Sequence, residues 1–248
     1  MKSPISFLKP TSTADRVAII LRDHILSTPE GTYLGSEADL ASEIGVSLPT
    51  LRQTARMLEH EQLLTIKPGK GGGYFTRRPS IETAIKSASQ YLSSRDLNSN
   101  DMFMDCADPI VTKILEEAVT CKDPALWEKL EQYVEKQRKG SNTQVSTEES
   151  FKTSTELMSL LGQMSQNALL ELFARILWNE VSMSHTTATL EETQKIIETN
   201  HKTRLRVAEA VLKKDREKAL KAWNTRSRFL RSWSQRGFQL TRQANLTD

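Results

Sequence analysis

The chain has 248 residues, of which 26% are charged, and 34 Lys and Arg against 31 Asp and Glu leave a formal net charge of +3. That length suits one small and one medium domain, and 38% hydrophobic residues are ample for a core in each. No apolar run approaches the ~20 residues of a membrane span and no charged-then-apolar export segment opens the chain. Cys106 and Cys121 lack metal-ligand spacing and read as free thiols of a reducing cytoplasm, with buried packing as their favoured role.

Met1 to Thr11 looks loose. From Ser12 or Thr13 a helix runs to Leu26 with Val17, Ile20, Leu21 and Ile25 as its inner face, and Pro29-Glu30-Gly31 ends the segment. Two short helical patterns follow, separated by Gly45-Val46. In the first, Leu40, Ala41 and Ile44 recur behind Ser36, an N-cap with Asp39 three residues on. In the second, Ser47 is the cap and Pro49 falls in the first turn, where a missing N–H costs nothing. Leu51, Ala55 and Leu58 then form the buried stripe, which leaves Thr50, Arg52, Gln53 and Arg56 to face a partner. Leu63 to Ile66 is a strand, Pro68 to Gly73 can only be a turn, and Tyr74-Phe75-Thr76 returns.

A helix-turn-helix followed at once by a basic, glycine-tipped hairpin is a winged helix. Between Ser47 and Arg78 the bases are Arg52, Arg56, Lys67, Lys70, Arg77 and Arg78, against Glu59 and Glu61 alone. A helix can enter the major groove and offer arginines to base edges, while lysine and glycine amides on a wing lie against phosphates. The expected DNA contacts are therefore Ser47, Thr50, Arg52, Gln53 and Arg56 on the helix, with Lys70, Gly71 and Gly72 on the wing. The competing use of such a module is protein binding, with its charges merely solvated.

Pro79 closes this domain, and strand signals vanish after it. Ile81 to Leu92 reads as a linker helix, and Ser93 to Asn100 as a polar turn. Helices follow over Asp101 to Thr120, from Pro124, over Thr147 to Leu161, over Asn167 to Val181, over Leu190 to Lys213 and over Asp215 to Arg236. Leu169, Leu172, Phe173, Ile176 and Leu177 make a broad apolar face that reads as core. The fold class is thus mainly α: a winged helix-turn-helix with a short β-hairpin over residues 1–79, then an all-α bundle of six or seven helices over 80–240. Asp101 to Asn200 carry 17 Asp and Glu against 9 Lys and Arg, whereas His201 to Arg242 carry 13 Lys and Arg against 3 acids, so helices of opposite sign can neutralise each other within the bundle.

The reader resembles the GntR-type bacterial transcription regulators. The likeness rests on Leu34-Gly35-Ser36-Glu37, Leu40-Ala41, Gly45-Val46-Ser47, Thr50-Leu51-Arg52, Leu58 and the wing Gly69-Lys70-Gly71-Gly72-Gly73-Tyr74-Phe75. It departs at Leu48, where the family usually has Arg, and at Gln53-Thr54-Ala55, where it usually has Glu-Ala-Leu. The bundle resembles the effector-binding domain of the FadR-type branch at Ser165-Gln166-Asn167-Ala168-Leu169-Leu170. It does so again along Val207, Ala210-Val211, Asp215, Ala219 and Ala222.

What the resemblance implies is a homodimer on a palindromic operator in double-stranded DNA, repressing until an effector binds inside the bundle. Many members of that branch hold a divalent metal with one Asp and three His. Their places fall here on Ser154, Met158, Arg204 and Arg226, or, in a shifted register, on Glu148 and Lys152 for the first pair. No imidazole stands where the motif wants one, so no metal or other cofactor is expected. Isolated ligands at His201 or His185 are the remaining option. Arg204 and Arg226, with Asn167, Ser154 and Met158 around them, would instead grip a small anion such as an organic acid or an acyl thioester. Their alternative role is pairing with the acids of the Asp101 to Asn200 helices. An architectural winged-helix protein without an effector is the second functional class. An enzyme is the third, and no Ser/His/Asp set, Cys/His pair or phosphate loop supports it.

Overall fold

The computed structural model describes residues 12–69, 71–93, 100–140, 145–179, 181–185, 188–233 and 238–242. The segment Met1 to Thr11, Lys70 and most of the polar turn after Ser93 lie outside the described residues. The chain forms two compact units, Met1–Ala84 and Ile85–Asp248.

The first unit is a winged helix built from α1 (Thr13–Ser27), β1 (Tyr33–Gly35), α2 (Glu37–Ile44), α3 (Leu48–His60), β2 (Leu64–Lys67) and β3 (Gly73–Thr76). Local chemistry sets each start and stop. Ser12 and Asp15 close a capping box on α1, Ser36 caps α2, and Gly45 ends α2 in the left-handed conformation at φ 73°. Leu21, Ile25, Leu40, Leu51, Ala55, Leu58, Leu64 and Tyr74 share one core. Ile20 does not join it and is 62% exposed, because Ala14 and Ala18 complete the inner face and Ile20 falls about a third of a turn outside it. The strands pair antiparallel in the order β1-β3-β2. β1 is an element the sequence did not announce, since it has only three residues and finds its partner Phe75 far along the chain.

The second unit contains α5 (Asn100–Ala118), α6 (Pro124–Lys139), α7 (Thr147–Met164), α8 (Ala168–Asn179), α9 (Leu190–Leu212) and α10 (Arg216–Arg231), while α4 (Ile81–Ser93) runs through the unit boundary. Met104, Val111, Leu130, Leu157, Leu161, Trp178, Val207 and Trp223 belong to its continuous core. Helices of opposite sign meet as expected: Arg216 binds Glu116, and Arg231 binds both Asp105 and Asp108. Among the described residues no helix is long and apolar enough to cross a membrane. Cys121 is buried, but Cys106 is exposed and has no packing role.

Two expectations for this unit are overturned. Strands do return after Pro79: β4 (Val181–His185) pairs antiparallel with β5 (Phe238–Arg242), which places the backbone of His185 in a strand rather than a loop. Each strand is short, and its partner lies several helices away, so no turn residue joins them into a recognisable hairpin. The apolar face of α8 is also not core throughout. Leu169 is 64% and Phe173 44% exposed, while Ala174 and Trp178 point inward with Leu170 and Leu177 beside them. A helix apolar on nearly every side gives periodicity nothing to discriminate.

The inward side of α8 is fixed by Gly162 of α7. A Cβ at that glycine would stand 3.1 Å from Glu171 Cα and 3.3 Å from Ala174 Cβ. Gly162→Leu should therefore cost about 1–3 kcal/mol through overpacking, whereas Leu169→Gln should stay within about 0.5 kcal/mol. Urea denaturation of the full chain separates the two, and a large loss in Leu169→Gln would reverse the assignment of faces.

Candidate nucleic-acid interface and ligand cleft

α3 presents a polar face held in place by a buried one. Leu51, Thr54, Ala55 and Leu58 are buried, and the Thr54 hydroxyl donates to the Ala14 carbonyl at 3.1 Å, which fixes the helix against α1. At its N-terminus the Ser47 hydroxyl accepts from the Thr50 N–H at 3.4 Å and lies 2.9 Å from the Thr50 hydroxyl. Ser47, Arg52, Gln53 and Arg56 are exposed and Thr50 is half-buried, so the five expected contact residues share one accessible side. Arg56 has no ion pair among the described residues. Arg52 does: its Nε donates to Glu37 Oε1 at 2.5 Å and its Nη2 to Glu37 Oε2 at 3.1 Å. Sequence reasoning missed Glu37, although its position one residue after an N-cap and its charge were both visible.

The wing glycines have separate reasons. A Cβ at Gly72 would fall 2.2 Å from the Lys67 carbonyl oxygen, and one at Gly73, where φ is +146°, would fall 2.5 Å from the Gly35 carbonyl oxygen. Both are demanded by the hairpin itself. Gly71, at φ +81°, has nothing within 4 Å of such an atom and is the glycine that leaves the wing open to a neighbour. Lys70 lies outside the described residues. At the wing's exit, Arg78 donates to the carbonyls of Ile25 at 2.8 Å, Leu26 at 3.1 Å and Thr28, so this base ends α1 instead of facing outward.

Within the second unit, Ser154, Arg204 and Arg226 do converge. The Ser154 hydroxyl accepts from Arg204 Nη1 at 3.1 Å and from Arg226 Nη2 at 3.3 Å. Arg204 also donates to the Ser150 carbonyl and to Gln137 Oε1, each at 2.9 Å. Arg226 donates to the carbonyl and side-chain oxygens of Asn200 at 3.1 and 2.8 Å and to the Thr203 hydroxyl at 3.2 Å. No carboxylate pairs with either arginine among the described residues, so the expected pairing with bundle acids gives way to neutral acceptors. Desolvation is costly here: Arg226 is 1% exposed and burial holds its guanidinium down to about 9, still protonated at neutral pH.

The register of α7 follows from the same geometry. Ser154 and Met158 face inward and Glu148 and Lys152 face solvent. Guanidiniums and a hydroxyl offer a divalent ion no lone-pair set of the kind it needs, so this cluster does not fit a metal. Met158 is buried core. Asn167 belongs elsewhere, because its Oδ1 accepts from the N–H groups of Leu169 and Leu170 and so caps α8.

Space is distributed unequally around the two arginines. Beside Arg226 the void is about 10 Å³, bounded by Phe103, Trp178 and Trp233, which is no more than a single water. Beside Arg204 a cleft of about 910 Å³ opens between α6, α7 and α9. Lys136, Lys202 and Arg206 line it together with Glu149, Glu198 and Glu209, and Gln137, Ser150 and His201 share the lining with them. His201 Nδ1 lies 3.4 Å from Arg204 Nη2, and among the described residues His201 Nε2 and Arg204 Nε are buried without a partner.

Residues 13–72 match the family described as bacterial regulatory proteins, gntR family. No curated protein matches the chain. Among solved structures, a Streptococcus agalactiae GntR is similar at a TM-score of 0.60 and 16% identity, over 88% of this chain and 98% of that one. A GntR-family transcriptional regulator from Pseudomonas syringae pv. tomato shares 17% identity over 90% of this chain and 86% of its own, at a TM-score of 0.34. The first of these shows the same fold across both units.

His201 supplies a pH dependence. Burial, then the neighbouring Arg204 and Lys202 cations, hold its imidazole below the usual range. The unfolded chain then takes up a proton at higher pH than the folded chain. This contribution is intact above the unfolded value of ~6.5 and is lost as pH falls through it toward the lower folded value. Thermal melts from about pH 7.5 to about pH 5 should show a steeper loss of stability in wild type than in His201→Gln; parallel curves would contradict the assignment.

Proposed function

We propose, from the premise of a GntR-family helix-turn-helix domain at residues 13–72, that the chain is a homodimeric transcription repressor of the FadR-type branch. On this reading its affinity for a palindromic operator is set by a small anion bound in the helical unit. The observation that carries the DNA reading is the exposed row of Arg52, Gln53 and Arg56 behind Ser47 and Thr50 on a helix anchored by its buried side. One such helix contacts only a few base pairs, and a second copy doubles the site and imposes its two-fold symmetry. Lys70, Gly71 and Gly72 supply phosphate contacts from the wing.

The ligand enters through the cleft and meets Arg204, whose guanidinium is held from behind by the Ser150 carbonyl and the Ser154 hydroxyl. Support comes from the difference in space around the two arginines and from the missing counter-charge. An incoming carboxylate or phosphate would replace the neutral Gln137 oxygen by a charged acceptor. Organic acids, sugar acids and phosphates carry that group directly, and acyl thioesters of coenzyme A carry it on the phosphates of the carrier. Its effect on DNA affinity requires that it bind one arrangement of the two reading domains better than the other.

Two measurements test this function. For the operator, a site selected from random duplexes should lose its preference in Arg52→Ala, whereas Lys70→Ala should weaken binding to all sequences and flatten the salt dependence. Unchanged selectivity in Arg52→Ala would show that α3 is not the reader. For the effector, a thermal-shift screen of the four anion classes should find one that stabilises wild type by about 2.7 kcal/mol at a hundredfold excess over Kd. The same anion should leave Arg204→Gln unmoved, and equal stabilisation of both would return Arg204 to a structural role.

A further inference from the structure

The Glu37–Arg52 fork has a chemical consequence beyond pairing two surface charges. A guanidinium carries five N–H groups in a plane. Glu37 takes Nε and one hydrogen of Nη2, which are the donors along one edge of that plane. Three N–H groups remain, and one on Nη1 with the second on Nη2 form a pair of parallel donors at the end of the plane. Paired acceptors of matching spacing occur in the major groove on guanine, as O6 and N7. Adenine offers an acceptor beside a donor there, so one of the two hydrogens would meet another hydrogen.

The backbone under Glu37 is firm. Glu37 is the first residue of α2, directly after the Ser36 cap, and the Ser36 hydroxyl accepts from the Asp39 N–H at 3.3 Å. Arg52 lies on the buried-sided α3, with its side chain 57% exposed while Glu37 is 33% exposed. Arg52 is the more exposed partner, and its hydrogen bonds among the described residues are the two to Glu37, which leaves the paired donors at its end without an acceptor there.

Resting on the reading of α3 as the DNA-contacting helix, we infer that Glu37 is a positioning residue that holds Arg52 edge-on, so that Arg52 selects a single guanine in each half-site. Glu37 itself touches no base. Its carboxylate removes the rotamer freedom that a long side chain would otherwise lose on binding. It also lowers the attraction of Arg52 to phosphates, which competes with base reading and carries no sequence information.

The test uses the whole 248-residue chain and the site it selects from random duplexes. Each base pair of one half-site is changed in turn, and binding is read by fluorescence anisotropy at fixed salt for wild type, Arg52→Ala, Glu37→Gln and Glu37→Ala. Melting curves confirm that each variant is folded. Wild type should reject replacement of one G·C pair by about tenfold or more. In both Glu37 variants that rejection should fall below about threefold at the same pair and at no other, with affinity for unrelated DNA unchanged or raised. Loss at that pair in Arg52→Ala but full retention in both Glu37 variants would overturn the positioning role and leave Arg52 as a reader. Retention in Arg52→Ala as well would overturn the reading of α3 on which the inference stands. Loss spread evenly over all pairs in the Glu37 variants would show a general disturbance of α2, which also overturns it.

Discussion

Two guanidiniums inside a helical bundle, held without a carboxylate, constrain how that bundle can be assembled. Arg204 and Arg226 reach acceptors on α6, α7 and α9, and Ser154 serves both. Unmade hydrogen bonds to a buried charge are expensive, so the four helices that supply or carry these groups are locked in register by polar geometry as well as by apolar contact. Neutral acceptors satisfy donors but do not cancel charge. The charge of Arg204 instead faces a cleft lining of both signs, where Glu149, Glu198 and Glu209 stand among Lys136, Lys202 and Arg206.

The two units use arginine in opposite ways. In the bundle, burial strips the guanidinium of water and puts it next to a second cation. On the reading helix, Arg52 stays largely in solvent and is paired with a carboxylate, which keeps its charge and fixes its plane. The same side chain is thus a buried donor to neutral oxygens in one place and an exposed donor to a carboxylate in the other.

The winged helix was legible because its signals are local. Caps at Ser36 and Ser47, the left-handed Gly45 and the stripe of Leu51, Ala55 and Leu58 each act within a few residues, and the sequence shows them directly. What stayed hidden depends on distant partners. Glu37 and Arg52 are fifteen positions apart, β4 meets β5 across the whole of α9 and α10, and the outward side of α8 is decided by Gly162 on another helix. Ser154, Arg204 and Arg226 were brought together by resemblance rather than by pattern, and it was their acceptors that no periodicity could name. Asn167 misled for the opposite reason, since an Asn before a helix is already explained as a cap.

The ion pairs between α10 and α5 bear on how such a protein would find its target. Arg216 and Arg231 are paired with Glu116, Asp105 and Asp108, so two of the 13 bases between His201 and Arg242 are matched by acids of α5. The segment from Ser47 to Arg78 has six bases and two acids, but Arg52 is paired with Glu37 and Arg78 is turned onto the carbonyls that end α1. The field available to steer a polyanion is set by the bases that remain unpaired, and added salt screens it beyond about 10 Å.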